Sequence, residues 1–113
     1  PLWFGTQGGL CRYEKGTRRF RHYTHVPGDP ASPDGDYILG IAEDAEGHLW
    51  FSLYMGPLTT FDPETGKVLA SYTSKAESVT QILPDPDNPN LLWMGARGGM
   101  GFGRFNIRTE TFT

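Results

Sequence analysis

The chain has 113 residues, with 13 Asp and Glu against 10 Lys and Arg, for a net charge of −3. The two signs are interspersed, so there is no basic footprint for nucleic acid. No apolar run is long enough to cross a membrane as a helix, and the single Cys11 excludes an internal disulfide framework.

Taken in chain order, the pattern is one of short runs bounded by Gly, Pro, Asn and Asp, which read as β-strands. Leu2 to Thr6 is a strand, Gly8-Gly9 a turn, Leu10 to Tyr13 a strand, and Glu14 to Thr17 a polar turn. Phe20 to Tyr23 follows, then a long loop with three prolines and three aspartates from His25 to Asp36. The next strands are expected at 37–42, 49–53, 57–62 and 67–73, and then at 78–83, 91–96 and 102–106. A last strand around Phe112 is expected to run off the chain at Thr113. The total is about eleven strands. Lys75 to Leu83 comes nearest to helical spacing, but its Ser78-Val79-Thr80 centre favours a strand.

The strands repeat as a unit. Leu2-Trp3-Phe4, Leu49-Trp50-Phe51 and Leu92-Trp93-Met94 begin matching stretches, their tryptophans 47 and 43 residues apart. Each is followed by a glycine turn, a run ending in an aromatic (Tyr13, Phe61, Phe105) and a polar turn. A period near 45 residues built of short strands is that of β-propeller blades, four-stranded antiparallel sheets that need neighbours to bury both faces. The fold class is therefore all-β, with roughly two and a half blades where propellers close with about four to eight. With strands A to D running outward from the channel, residues 1–24 are an incomplete first blade lacking strand A. Residues 37–73 are a complete blade, and 78–113 are an incomplete third. Residues 1–113 are expected to be part of a larger propeller. Assembly of copies into a ring and a different small β fold are the alternatives.

Trp3, Trp50 and Trp93 recur inside B strands among apolar neighbours. They are expected to pack between blades with Tyr13, Phe61 and Phe105, each indole N–H finding a backbone acceptor. Cys11 reads as a buried structural thiol. Glu43, Asp44 and Gly47 mark the A–B hairpin, where a carboxylate accepts backbone N–H groups. Asp85-Pro86-Asp87-Asn88 lacks the glycine and distant glutamate of an EF-hand loop and reads as a proline-stiffened turn. His22 and His25, three apart on a strand, face opposite ways and do not chelate. Neither a catalytic set nor a metal or cofactor site is expected.

The stretch Ile41-Ala42-Glu43-Asp44-Ala45-Glu46-Gly47-His48-Leu49-Trp50-Phe51 resembles the signature of the two-component regulator propeller repeat. Leu2 to Tyr13, with Gly5-Thr6 and Gly8-Gly9-Leu10, resembles its second half, as does Leu92 to Phe105 with Gly95-Ala96. Asp29-Pro30-Ala31-Ser32 is similar to the segment before the family's next repeat. Ser52-Leu53 stands where glycine-threonine is usual, and Pro57 interrupts the Gly-Gly-Leu pattern. The resemblance implies a periplasmic or extracytoplasmic sensor propeller of a hybrid histidine kinase, many of which respond to glycans. Its partners would then be a small-molecule or oligosaccharide ligand and further blades or another copy of the chain. A membrane would be reached only through parts outside these residues. A propeller enzyme of the streptogramin-lyase or glycan-cleaving kind and a protein-interaction scaffold are the alternative functions.

Strand direction alternates across a blade, so B–C turns and D–A loops share one face. The residue four after each tryptophan falls there: Gln7, Tyr54 and Arg97. Variable polar or aromatic residues on a regular frame suit a ligand-reading surface. These three, with His25 in the D–A loop, are the candidate ligand-binding residues.

Overall fold

The computed structural model describes residues 2–54, 56–73, 78–97 and 102–113, with backbone only at 78, 96, 97 and 102. The described residues form eleven strands: β1 (Leu2–Thr6), β2 (Gly9–Glu14), β3 (Arg19–Tyr23), β4 (Ile38–Glu43), β5 (Leu49–Leu53), β6 (Leu58–Asp62), β7 (Lys67–Tyr72), β8 (Ser78–Pro84), β9 (Leu91–Arg97), β10 (Phe102–Asn106) and β11 (Thr111–Phe112). They form three antiparallel sheets in the orders β1-β2-β3, β4-β5-β6-β7 and β8-β9-β10-β11. These are the incomplete first blade, the complete second and the third. The third blade does carry a D strand: β11 pairs two residues with β10, Phe112 opposite Phe105 and Thr111 opposite Asn106.

Two apolar clusters lie between the sheets. Leu10 of blade 1 joins Ile38, Leu49, Phe51, Leu53 and Phe61 of blade 2, with Trp3 and Tyr23 packed against them. Trp50 and Leu58 of blade 2 join Val79, Ile82, Leu92, Met94 and Phe105 of blade 3, with Tyr72 packed against them. Strand alternation explains the division. Leu49, Phe51 and Leu53 point one way from β5 and Trp50 the other, and all five residues of β5 are buried.

One aromatic arrangement occurs twice. Trp3 and Tyr23 of blade 1 hold Phe61 of blade 2, with ring centroids at 5.7 and 5.1 Å, both edge-on. Trp50 and Tyr72 of blade 2 hold Phe105 of blade 3 at 5.4 and 4.9 Å. In each case a B-strand tryptophan and a D-strand tyrosine clamp the C-strand aromatic of the next blade. Such pairs add about 0.5–1.5 kcal/mol beyond the area they bury.

The indole N–H groups of Trp50 and Trp93 do not go to backbone carbonyls. Trp50 Nε1 donates to Asp44 Oδ2 at 2.7 Å, and Trp93 Nε1 donates to Asp85 Oδ2 at 2.8 Å. The other oxygen of each carboxylate closes the A–B hairpin: Asp44 Oδ1 accepts from the N–H of Glu46 and His48, and Asp85 Oδ1 from Asp87 and Asn88. An ionised carboxylate is a stronger acceptor than a carbonyl, and the tight turn places it beneath the indole. These bonds, led by that from Trp93, hold the Asp85 carboxyl below its usual pKa.

Ser52, where blades 1 and 3 have Gly5 and Gly95, ties blade 2 to blade 3. Its buried hydroxyl accepts from Gly40 N–H at 3.0 Å and donates to the Val79 carbonyl at 2.5 Å. The A strands approach closely here. A Cβ on Gly40 would stand 3.1 Å from the Thr80 carbonyl oxygen and 3.2 Å from Gln81 Cα, so a larger residue would push the blades apart.

Trp50→Ala is expected to cost about 3–5 kcal/mol, as truncation of a buried aromatic does. A denaturant titration shows it, and a midpoint unchanged from wild type would remove Trp50 from the core. Asp85→Asn puts a donor or a weaker acceptor beneath Trp93 and should lower the melting temperature at neutral pH. Because the folded pKa is depressed, the carboxylate's contribution is full above the unfolded value of about 3.9 and is lost as pH falls through the folded one. The gap between wild type and variant should therefore be constant above about pH 5 and close below about pH 4. A gap that persists unchanged to pH 2 would contradict the bond.

Candidate functional site

The side that carries the B–C turns brings Gln7 and Tyr54 together, and adds a residue that turn position alone did not reveal. Gln7 Nε2 donates to the Tyr37 hydroxyl at 3.2 Å. The Tyr37 and Tyr54 rings stack with centroids 5.2 Å apart and planes 25° apart. Both rings are open to solvent, 40% and 48% exposed, so the pair presents an aromatic surface rather than filling a core. The backbone holds them in place, since Tyr54 N–H donates to the Tyr37 carbonyl at 2.8 Å.

A β-bulge makes the pairing. From Glu43 opposite Leu49 to Gly40 opposite Ser52, the β4–β5 register is regular. Continued unbroken, it would set Ile38 opposite Tyr54. The bulge between Ile38 and Gly40 adds a residue, so Ile38 lies opposite Leu53 and Tyr37 reaches Tyr54. The same shift occurs in blade 3 between Val79 and Gln81, and sets Ser78 opposite Arg97.

Arg97 is thus the last residue of β9 rather than part of a turn, because the ladder with β8 extends to it. Its backbone is the blade-3 counterpart of Tyr54; its side chain lies outside the described residues, as do Gly98 and Gly99 of the following turn. His25 is engaged in its own loop. Its N–H donates to Asp36 Oδ1 at 2.6 Å, and its Nδ1 lies 2.8 Å from the Pro33 carbonyl, a contact that fits an Nδ1–H donor. The ring thus bonds within its own loop through Nδ1.

The turn beneath Gln7 depends on Gly9. Its φ is +125°, and a Cβ there would stand 2.8 Å from the Tyr23 carbonyl oxygen. Any side chain would separate β2 from β3 and displace Gln7.

The long loop closes on itself. The Ser32 hydroxyl accepts from Val26 N–H at 3.0 Å and donates to the Asp29 carbonyl at 2.8 Å. The Ala31 carbonyl accepts from Val68 N–H at 2.8 Å, so the loop also covers part of the outer edge of β7. Between this loop and the C–D turn of blade 2 runs an open groove of about 430 Å³, lined in part by His22, Tyr23, Asp29, Ser32 and Lys67. Its Ser32 hydroxyl and one Asp29 oxygen are already bonded within the loop, the latter to Ala31 N–H. The groove is the weaker candidate.

Of the residues expected to form the core, Phe61 and Phe105 are fully buried and Trp50 is 3% exposed. Trp3 and Trp93 are half-buried. Tyr13 is also half-buried, on the outward face of β2 against Phe20, with ring centroids 4.9 Å apart. Cys11 is a buried free thiol. Among the described residues no three acidic, histidine or cysteine side chains gather as a metal cluster, and no helix is long and apolar enough to cross a membrane.

No family model and no curated protein matches the chain. Solved structures do. The extracellular domain of the hybrid two-component system BT3049 from B. thetaiotaomicron aligns over 98% of this chain with a TM-score of 0.83 and 23% identity. The extracellular domain of the hybrid two-component system BT4673 from the same organism aligns over 98% with a TM-score of 0.82 and 25% identity. The chain covers 16% of each of those chains. The tricorn protease aligns over 97% of this chain and 11% of its own, with a TM-score of 0.58 and 17% identity. In fold, this chain is a set of β-propeller blades similar to part of the extracellular domains of these two-component systems.

Proposed function

We propose that this chain is part of the ligand-sensing propeller of a bacterial two-component receptor, working outside the cytoplasmic membrane and itself performing no catalysis. The similarity to extracellular domains of two-component systems supports the setting. The observation that carries the binding role is the exposed Tyr37–Tyr54 stack tied to Gln7 of the neighbouring blade. An aromatic surface beside an amide suits the alternating apolar and hydroxyl faces of an oligosaccharide. Arg97, one blade further round, would add a planar guanidinium donor.

The geometry suggests how binding would be felt. Gln7 belongs to blade 1 and both tyrosines to blade 2, so a ligand seated on them touches two sheets. It would favour one relative placement of those sheets, and a receptor whose signalling states differ in that placement would shift toward it.

The test is calorimetric titration of a panel of neutral oligosaccharides, such as maltohexaose, xylohexaose and arabinohexaose, against the receptor's extracellular portion. For whichever sugar binds, Tyr54→Ala and Tyr37→Ala should each weaken affinity about tenfold, equivalent to 1.4 kcal/mol. Arg97→Ala should weaken it as well, with melting temperatures near wild type in all three. Unchanged affinity in both tyrosine variants would refute the site.

A further inference from the structure

We propose that the groove between the long loop and the C–D turn of blade 2 binds a small hydroxy carboxylate of sugar-acid size, its carboxylate accepting from the Tyr23 hydroxyl. This site is separate from the Tyr37–Tyr54 stack and rests on its own residues. The interface between blades 2 and 3 supplies the precedent within the same chain.

Tyr23 and Tyr72 are equivalent D-strand tyrosines, and each reaches the C–D turn of the following blade. In blade 3 that turn ends at Glu110 and in blade 2 at Gly66. The two positions correspond. Glu110 N–H donates to the Asn106 carbonyl at 2.7 Å and Gly66 N–H to the Asp62 carbonyl at 2.8 Å, with φ of +58° and +72°. The Tyr72 hydroxyl donates to Glu110 Oε1 at 2.8 Å, a bond strengthened by the acceptor's charge. Blade 2 has no side chain at this place. A Cβ on Gly66 would stand 2.8 Å from Tyr23 Cε1 and 3.4 Å from the Tyr23 hydroxyl oxygen, so the ring lies on bare backbone. Among the described residues no carboxylate takes up the Tyr23 hydroxyl as Glu110 takes up that of Tyr72.

The space beside Gly66 is the groove, whose volume of about 430 Å³ lies within the range of small-molecule sites. Lys67 and Asp29 also line it. Arg21 stands two positions from Tyr23 on the same face of β3 and is exposed. Neither Arg21 nor Lys67 is in an ion pair among the described residues. These cations favour an anion. Asp29 Oδ1 is occupied by the Ala31 N–H, which leaves Oδ2 to accept from a ligand donor. A carboxylate flanked by a hydroxyl meets both demands, whereas a neutral sugar offers Tyr23 only a weaker acceptor.

Ligand-observed NMR titration of the receptor's extracellular portion tests this, with sodium glucuronate as the probe and glucose as the matching ring without a carboxylate. Glucuronate should bind with a Kd of about 1–10 mM, and glucose at least about tenfold more weakly. Tyr23→Phe keeps the ring against Phe61 and removes the hydroxyl; it should weaken glucuronate about tenfold. Lys67→Gln, at an exposed position, should weaken it about threefold. Tyr54→Ala should leave it unchanged, which separates this groove from the tyrosine stack. Absence of glucuronate binding up to about 50 mM overturns the proposal, as does equal affinity for glucose. Unchanged affinity in both Tyr23→Phe and Lys67→Gln also overturns it, as does a loss caused by Tyr54→Ala alone. Melting temperatures near wild type confirm that the variants are folded.

Discussion

The structure depends on one contact, the clamp that a tryptophan and a tyrosine of one blade place around an aromatic of the next. A four-stranded sheet has two faces, and each must leave water for the sheet to be stable. Phe61 and Phe105 are buried because the preceding blade reaches them from two strands at once. Among the described residues, the B strand of blade 2, which has a described sheet on each side, is the B strand buried along its whole length. Burial in this chain is therefore a property of neighbours rather than of any one sheet.

The polar groups make that packing specific. Asp44 and Asp85 each satisfy a hairpin and an indole with the two oxygens of one carboxylate. The tryptophan that clamps the next blade is thereby oriented by a turn of its own blade, and its one polar atom does not resist burial. Ser52 does comparable work between the inner strands by linking Gly40 to Val79. A glycine there would leave both backbone groups to find other partners. Aromatic packing brings the blades together, and these hydrogen bonds restrict the angle at which they meet.

A frame held in this way displays turn residues at regular steps. Gln7, Tyr54 and Arg97 stand in equivalent places on successive blades. The bulges in β4 and β8 then add a second residue opposite Tyr54 and Arg97. Side chains on this surface vary without disturbing the core, because their positions are set by backbone hydrogen bonds and by packing behind them. That surface is composed from two blades, since Gln7 of the first donates to Tyr37 of the second.

Much of this was legible in the sequence. The tryptophan spacing, the strand periodicity and the turn residues located all eleven strands, mostly within a residue or two, and assigned them to three blades. These are local properties that alternation and turn chemistry encode directly. The turn role of the Asp44 carboxylate was legible for the same reason. Tyr37 was not, because it meets Tyr54 only through a bulge that shifts the register by one, and nothing periodic marks that residue. The acceptors of the Trp50 and Trp93 indoles, the bond of His25 within its own loop and the place of Arg97 in a strand were likewise settled only in the fold. Each depends on how a hairpin, a loop or a ladder closes in space: Trp50 reaches Asp44 and Trp93 reaches Asp85 within one hairpin, His25 reaches Pro33 within one loop, and Arg97 pairs with Ser78 across one sheet, and no periodicity in the sequence marks those closures.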